Sequence, residues 1–569
     1  MPNGSSQQLF EITINDKKLQ AQPGETIIQV ADKNGIKIPR FCYHPHLKVV
    51  AQCRMCLVEV RGAPKPLAAC STPIADKMVV QTASPQAKAA QTSVLEFLLI
   101  NHPLDCPICD KGGECPLQNN AFQYGSSVSR MDDMKRRLDK NKDFGKHIVF
   151  DTERCILCSR CERFCKDVTG TSEIGITHRG AHSEIDVFTP EGVDNEYSLN
   201  IVDLCPVGAL TDKDFRFRAR PWEMKATTSF CPSCTLGCDA QFWVKTSFKK
   251  QEMLRMNAPG DAENWLCDYG RLNYKVFNNQ EKHLKNPQVR KNGRLTEVSW
   301  DEALEVVKNL LEQDREAHFA ISGNITSEAA DFLLSLGPVP AEAGRRGLKV
   351  RVSEPILAAW KTLLDKKLLE RGKFSKVFEL GRSVRESYPV LYLDLREAQV
   401  QFEKIQSLKE MPVEDGVALA IDEKHMNTEE FVQFVEKINN KMVIIPLFSS
   451  SNAFGLLQRG LVPWQLTGFD DVKSKTVYFI GRTLKTDFDY SSVAAKLQGK
   501  KIILQDTIES LLCDLAEVIL PMQDLSESGG HFRTYYSFLN GEVEREFLPC
   551  MNPQGSSKSD WEIISLLSS

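Results

Sequence analysis

The sequence predicts a multidomain protein in which several small α+β modules precede an α/β domain. Three observations support this fold class. The chain has 569 residues, enough for about four domains. Sixteen of its 18 cysteines lie before residue 268, mostly in groups with two residues between neighbours. From about residue 280 onward, helical patterns alternate with short apolar runs, which is typical of α/β folds.

Composition excludes several classes of protein. A net charge of −4 argues against a broad nucleic-acid-binding surface, so no nucleic-acid partner is expected. No apolar run approaches the ~18–20 residues that span a bilayer, so we expect no direct membrane insertion. The first strand pattern begins near Leu9, and we expect neither a signal peptide nor a transit peptide before it. Clustered cysteines without an export signal favour metal ligation in a reducing compartment over disulfides.

The first module has a β-grasp-like pattern that carries metal ligands. Alternating Phe10, Ile12 and Ile14 predict a half-buried strand, and a helix is expected to begin near Thr26 and end near Gly35. Four cysteines follow with spacing C-x10-C-x2-C-x13-C, which suits a [2Fe–2S] cluster. A zinc site is the alternative, because C-x2-C is common there. The predicted cluster ligands are Cys42, Cys53, Cys56 and Cys70.

A predicted helix over residues 84–101 leads into a second ligand loop. Ser84 can cap this helix, and Pro85 suits its first turn. The loop reads H-x3-C-x2-C-x5-C, and Gly112-Gly113 allows the chain to fold back. A neutral imidazole in place of a thiolate makes a cluster one unit less negative and therefore eases its reduction. The alternative interpretation is that the histidine binds no metal and only ends the helix. The predicted [4Fe–4S] ligands are His102, Cys106, Cys109 and Cys115.

A third ligand set follows a charged, solvated stretch over residues 126–146. The spacing C-x2-C-x2-C-x3-C is the bacterial ferredoxin pattern, whose fourth cysteine ligates the other cluster in two-cluster proteins. No second C-x2-C-x2-C precedes Cys205-Pro206, so we expect a single [4Fe–4S] cluster here and interpret Cys165 as a buried thiol. The predicted ligands are Cys155, Cys158, Cys161 and Cys205.

A fourth ligand set has the spacing C-x2-C-x3-C-x28-C. These four thiols fit another [4Fe–4S] cluster, and a zinc ribbon is the competing interpretation. The predicted ligands are Cys231, Cys234, Cys238 and Cys267.

The remaining chain predicts an α/β domain with a mainly parallel sheet. Ser299 begins a capping box before a helix, and Cys513 and Cys550 are expected to be small buried residues. No G-x-G-x-x-G motif and no P-loop occur, so we expect no dinucleotide site and no flavin in this chain. The predicted strands are Phe319–Ser322, Val390–Leu393, Val443–Ile445, Val477–Ile480 and Ile502–Leu504.

The four ligand sets, in this order, resemble the family of large iron–sulfur subunits (75 kDa-type) of respiratory complex I, the NADH:quinone oxidoreductase. The resemblance is specific over residues 9–275. It implies five parts: a [2Fe–2S] ferredoxin-like domain (1–83), a one-His/three-Cys [4Fe–4S] domain (84–125), a ferredoxin-like domain with one cluster (126–225), a molybdopterin-oxidoreductase-type cluster domain (226–282) and a truncated molybdopterin-oxidoreductase-like domain without an active site (283–569).

The family resemblance also implies a route for electrons. They would arrive from the NADH/FMN-binding subunit at the first ligand set, pass to the third and then the second, and leave through a two-cluster ferredoxin-like subunit toward quinone. The implied partners are the other peripheral-arm subunits, including a small [2Fe–2S] subunit and the quinone-site subunits. The implied location is the cytoplasmic side of the bacterial inner membrane. The fourth set would lie off this route.

The carboxyl-terminal part resembles a molybdopterin domain but departs from it. Leu515–Pro521 and Glu527–Thr534 echo motifs of that fold. No cysteine lies between Cys267 and Cys513, and Cys267 is followed by Asp-Tyr-Gly where molybdenum enzymes of this type place a lysine soon after. We therefore expect no molybdenum and no catalytic residues in this chain.

Two enzyme families share the amino-terminal modules. A formate dehydrogenase catalytic subunit or an iron-only hydrogenase would keep two full ferredoxin clusters, and the hydrogenase would need further clustered cysteines after residue 267. The small subunit of a NAD-linked hydrogenase would end near the third module. These remain the alternatives to an electron-relay subunit.

Overall fold

The chain forms two compact units, Met1–Met224 and Lys225–Ser569. The computed structural model describes residues 9–248, 250–260, 265–279, 281–314, 317–335, 359–360, 362–363, 374–414, 416–426, 428–438, 442–459, 461, 463, 469, 472–481, 490–540, 542 and 544–568.

The first unit begins with a five-stranded mixed sheet. Phe10–Ile14 pairs antiparallel with one neighbour and parallel with Val79–Gln81 on the other side, which is the β-grasp arrangement. Ile12 and Ile14 are fully buried, as their alternation predicted, and the helix Ile27–Lys33 packs against them. In sheet order the strands are Lys17–Ala21, Phe10–Ile14, Val79–Gln81, Leu57–Val60 and Leu67–Ala68.

The rest of the first unit is built from short elements around cysteine-bearing loops. The helix Pro85–Leu99 is capped as predicted, since the Ala87 amide donates to Ser84 Oγ at 3.2 Å. A small sheet orders Leu210–Asp212, Ile148–Phe150 and Lys142–Asp143, and a hairpin joins Ile174–Thr177 to Glu184–Val187. The other helices are Pro116–Tyr124, Arg160–Arg163 with its π-helical continuation Phe164–Thr169, and Asn200–Leu204, with single 3-10 turns at Cys106–Ile108, Gly180–His182 and Pro221–Glu223.

The second unit contains an antiparallel sheet and two larger sheets. The antiparallel sheet is formed by Met224–Phe230, Asp239–Ser247 and Lys250–Asn257. One larger sheet is parallel throughout, in the order Gln401–Ile405, Lys376–Leu380, Val417–Asp422 and Met442–Leu447. The other runs Arg294–Glu297, Gln288–Lys291, Ala516–Pro521, Lys501–Asp506, Thr476–Ile480 and His318–Ile321, and its last four strands are parallel.

Helices cover the sheets of the second unit, as expected for an α/β fold. The helix Trp300–Gln313 begins at Ser299, whose hydroxyl accepts from the Glu302 amide. The other helices and 3-10 turns in the described ranges are Asp268–Leu272, Asn273–Asn278, Ser327–Ser335, Val384–Ser387, Pro389–Glu397, Leu408–Glu410, Glu423–Met426, Glu429–Lys437, Ala453–Gln458, Ser491–Leu497, Cys513–Leu515, Leu525–Ser528, Tyr535–Leu539 and Asp560–Ser568, and a hairpin pairs Gly530–Phe532 with Arg545–Phe547.

One predicted strand is wrong. Val390–Leu393 lies inside the helix Pro389–Glu397, where Pro389 occupies the first turn, a position that proline favours. A short apolar run does not by itself distinguish a buried strand from the buried face of a helix. The other four predicted strands are present, shifted by a residue or two at their ends. Among the residues that the structure describes, no helix combines the length and the hydropathy that crossing a bilayer requires.

Candidate metal centres

The structure brings the first four cysteines together at one end of the β-grasp sheet. Cys42, Cys53 and Cys56 lie on the loop between the helix Ile27–Lys33 and the strand Leu57–Val60. The Cys42 amide donates to Cys53 Sγ at 3.4 Å, and the Cys42 thiol also contacts that of Cys70. The thiol of Cys56 contacts Cys70 as well. Four sulfur atoms in this mutual contact form the donor set that a small iron–sulfur cluster or a zinc ion takes.

The second set lies on a tight loop that ends in the helix Pro116–Tyr124. Gly113 has φ +94°, a conformation that glycine adopts without strain and that lets Cys115 return toward Cys109. The pKa of His102 is lowered to about 4, mainly by burial, so its imidazole is neutral at physiological pH. Its Nδ1 atom is buried and has no hydrogen-bond partner among the described residues. A neutral imidazole with a buried, partnerless nitrogen has the chemistry of a metal ligand.

Four thiols of the third set surround a small apolar cavity. Cys155, Cys158, Cys161 and Cys205 all line it. Burial raises the pKa of the Cys155 and Cys161 thiols, because a thiolate loses its hydration there. Such thiolates are stable only when positive charge compensates them, which a bound metal centre would supply. Cys165 is also fully buried, but it lies on Phe164–Thr169 and is not among the residues that line this cavity.

The fourth set lies in the second unit, around a cavity of about 270 Å³ lined by all four of its cysteines. The Cys231 amide donates to the Cys238 carbonyl at 2.7 Å, and the Gly270 amide donates to Cys267 Sγ at 3.3 Å. A Cβ atom on Gly270 would lie 2.8 Å from Cys231 Sγ, so only glycine leaves room here. A structural zinc site encloses a single ion within four ligands. Both that ion and the larger cluster take four thiolates as ligands.

Contacts in the first unit link the first set to the third. The guanidinium of Arg163, which is 3% exposed, donates to the carbonyl oxygens of both Cys42 and Cys158. Arg160 donates to the Tyr43 carbonyl at 2.5 Å and to the Leu204 carbonyl at 3.1 Å. Each arginine therefore joins the backbone at or beside a ligand of one set to the backbone at or beside a ligand of the other.

Other contacts link the third set to the second. Cys115 Sγ lies 3.7 Å from the carbonyl oxygen of Pro206, the residue after Cys205. A Cβ atom on Gly208 would lie 2.1 Å from Cys109 Sγ, so this segment packs directly on the histidine-containing loop.

Ion pairs reinforce the contact between these two sets. Asp105, beside Cys106, pairs with Lys140 at 2.6 Å and with Arg154 at 2.9 Å. Burial alone would raise the pKa of Asp105, but hydrogen bonds from both cations bring it below its ordinary value. Asp105 is therefore ionised, and its ion pair with Arg154 connects the loop that carries Cys106 to the residue before Cys155.

Sequence reasoning missed Arg160, Arg163 and Gly208. Arg160 lies between two ligands in Cys158-Ser-Arg-Cys161, and Gly208 follows Cys205-Pro206-Val207. Their closeness to ligands was visible in the sequence. The partners that give them a role come from loops more than 90 residues away, at Cys42 and Cys109, and no local pattern predicts those contacts.

Four family models match parts of the chain. Residues 7–85 match a 2Fe-2S iron-sulfur cluster binding domain, and residues 91–130 match the NADH-ubiquinone oxidoreductase-G iron-sulfur binding region. Residues 145–211 match the ferredoxin-like domain of NADH-quinone oxidoreductase subunit 3, and residues 284–335 match molybdopterin oxidoreductase. The chain thus contains [2Fe–2S]-binding and [4Fe–4S]-binding domains.

Curated relatives and one solved structure extend this comparison. The G subunit of NADH-quinone oxidoreductase from Rickettsia conorii is 41% identical over 327 residues, which are 57% of this chain and 48% of that protein. The NADH-ubiquinone oxidoreductase 75 kDa subunit of Reclinomonas americana is 34% identical over 411 residues, 69% of this chain and 59% of that protein. A chain of a NAD+-reducing [NiFe]-hydrogenase matches 37% of this chain and 90% of its own length at 27% identity, and its TM-score of 0.34 does not establish a shared overall fold.

The chain spans about half the length of the curated relatives that it matches. Two of the family models, which match residues 91–130 and 145–211, carry the name of the same oxidoreductase. Over the residues that align, the chain is a homologue of the G subunit of NADH-quinone oxidoreductase and of the 75 kDa subunit of NADH-ubiquinone oxidoreductase.

Proposed function

We propose that the chain is an electron-transfer subunit of NADH:quinone oxidoreductase, which relays electrons from the NADH/FMN-binding subunit toward quinone. The observation that carries this proposal is the contact between successive ligand sets. Arg163 joins the backbone of Cys42 to that of Cys158, and Pro206 joins Cys205 to the sulfur of Cys115. The first, third and second sets thus form one continuous series, in the order that an electron relay of this family would use.

The ligands would hold one [2Fe–2S] and three [4Fe–4S] clusters. When bound, such clusters accept and release single electrons at potentials set by charge, hydrogen bonds and exposure. The chain itself holds the ligands, keeps water from most of the sulfur atoms and fixes the spacing between sets. Cys42, Cys56, Cys70 and Cys161 are at most 8% exposed, whereas Cys106 is exposed. The fourth set lies in the second unit and is assigned a structural role.

We propose that the chain has no chemistry of its own. In this proposal the second unit binds neither molybdenum nor flavin. Its sheets would serve as a scaffold for the fourth set and for partner subunits. We further propose that the chain is divided into five domains, with boundaries after residues 83, 125, 225 and 282. The partners would be the other peripheral-arm subunits, at the cytoplasmic face of the membrane that carries the complex.

Metal analysis of the anaerobically purified chain tests this proposal. Full occupancy predicts about 14 iron atoms per chain and no molybdenum. Low-temperature EPR should then resolve distinct reduced clusters, and chemical reduction followed by addition of a soluble quinone analogue should reoxidise them. About 10 iron atoms with one zinc would leave the relay intact and make the fourth site a zinc site. Stoichiometric molybdenum would contradict the relay and support a formate-dehydrogenase-like enzyme.

A further inference from the structure

Arg160 occupies a position between the first and the third ligand sets. Its Nη1 atom donates to the Leu204 carbonyl beside Cys205, and its Nη2 atom donates to the Tyr43 carbonyl beside Cys42. These two bonds fix the plane of the guanidinium. The side chain also lines the cavity that the four thiols of the third set surround. The positive charge therefore lies close to the ligands of two metal centres.

One donor of Arg160 remains unused. Its Nε atom is buried and has no hydrogen-bond partner among the described residues. A buried N–H without an acceptor is costly, so native proteins rarely leave one in that state. A sulfur atom in the adjoining cavity would provide the acceptor.

Arg163, one helical turn after Arg160, differs from it in its hydrogen-bond partners. Its three nitrogen atoms donate to oxygen atoms only: the Ser159 carbonyl and hydroxyl, and the carbonyls of Lys48, Cys42 and Cys158. It carries the same charge as Arg160 near the same ligands, but all of its nitrogen atoms have acceptors in the protein. Arg163 therefore stabilises the contact between the loop that carries Cys42 and the loop that carries Cys158.

We propose that Arg160 sets the reduction potential of the third centre by donating its Nε–H to a sulfur atom of that centre, while its charge lies between this centre and the first. The inference rests on the proposed function, because it assigns iron–sulfur clusters to these two ligand sets.

The physical basis is the charge of the reduced state. Reduction adds one electron, so a nearby cation and an N–H donor stabilise the reduced centre more than the oxidised one. Because Arg160 lines the cavity of the third set, the effect is expected to be larger there than at the first set. The resulting difference in reduction potential favours electron transfer from the first centre to the third.

Redox titration of the full-length, anaerobically purified chain, monitored by EPR, tests the inference. Arg160→Lys keeps a charge but removes the fixed donor, so at one ambient potential the ratio of reduced to oxidised third centre is expected to fall about tenfold, or about 59 mV for a one-electron couple. Arg160→Gln, which also removes the charge, is expected to give a larger fall. Arg163→Lys is the matched control and is expected to lower thermal stability without moving the ratio.

Two outcomes would overturn the role of Arg160. One is an unchanged ratio in both Arg160 variants. The other is the same fall in Arg163→Lys, since that would indicate a general loosening between the modules. Iron analysis separates this test from the proposed function: a wild-type third site without iron contradicts the function, whereas full iron with an unmoved ratio contradicts only the role of Arg160.

A second measurement begins with the wild-type chain. Pulsed EPR of the reduced third centre in the wild-type chain is expected to show modulation from a guanidinium nitrogen, which changes when arginine carries ¹⁵N in its guanidinium group only, since the Arg160 backbone amide also donates to Cys158. The signal should persist in Arg163→Lys. Modulation without any arginine contribution would overturn the inference.

Discussion

The sulfur of Cys115 lies 3.7 Å from the carbonyl oxygen of Pro206. One residue separates that carbonyl from Gly208, which packs against Cys109 Sγ. The segment that presents Cys205 to the third centre therefore also forms the wall of the second. Two ligand sets that lie far apart in the sequence share this one segment, so a change in it is expected to affect both.

Gly208→Ala tests this shared wall. The added Cβ would lie 2.1 Å from Cys109 Sγ, well inside contact distance, so Cys109 must move from its ligand position. We expect loss of about four iron atoms per chain and of the EPR signal of the histidine-containing centre. Gly260→Ala is the control, because a Cβ there has nothing within 4 Å, and it should keep all its iron. Full iron in Gly208→Ala would refute a close packing of this glycine on the ligand.

His102→Cys tests the charge at the second centre. A thiolate in place of a neutral imidazole makes the centre one unit more negative, so its reduction potential is expected to fall while the iron content stays the same. The His102 imidazole is half-buried, with its Nδ1 atom wholly so, and the shorter cysteine side chain requires a shift of the loop to place its sulfur in the same space. EPR-monitored titration measures the potential, and the [2Fe–2S] centre serves as internal reference. A potential equal to that of the wild type would contradict the argument from charge.

The sequence predicted most of the local structure, because it depends on short spacings, and the four ligand sets stay predictions. Ser84, Ser299 and the alternation at Ile12 and Ile14 marked element ends and buried faces correctly. The apolar run that begins at Val390 predicted a strand where the structure has a helix, since four apolar residues fit a buried strand and a helix face equally well.

What the sequence could not predict is how the ligand sets lie against one another. Arg163 contacts Cys42 across 121 positions, and Pro206 contacts Cys115 across 91. Such contacts depend on the packing of whole modules, for which a single sequence carries no local pattern. The arginines in the ferredoxin motif were therefore indistinguishable from ordinary surface charges.

Cys165→Ser tests whether the fourth cysteine of the ferredoxin motif binds metal. Cys165 is fully buried on Phe164–Thr169 and is not among the residues that line the cavity of the third set. We expect an unchanged iron content with a stability loss of about 1–3 kcal/mol, because a hydroxyl replaces a thiol in an apolar environment. Cys161→Ser, at a cysteine that does line the cavity, should lose about four iron atoms. Equal loss in both variants would show that Cys165 is a ligand.

His531→Gln tests an ion pair that joins two elements of the second unit. His531 Nδ1 lies 2.6 Å from the carboxylate of Glu328, on the helix Ser327–Ser335, and this hydrogen bond raises the pKa of the histidine above its usual 6.5. A raised folded-state pKa means that the pair stabilises fully below pH 6.5 and that its contribution is lost as the pH rises through the folded-state value. Because both groups are at least a third exposed, the contribution is expected to be less than about 1 kcal/mol.

Denaturant unfolding of the second unit, at pH 5.5 and at pH 8.5, measures this contribution. His531→Gln is expected to lower the free energy of unfolding at pH 5.5 and to match the wild type at pH 8.5. Glu328→Gln should remove most of the same pH dependence, since it takes away the main cause of the raised pKa, while Glu546 and Glu544 supply the smaller remainder. An equal loss at both pH values would mean that His531 stabilises the hairpin by packing, because packing does not depend on the charge of the imidazole.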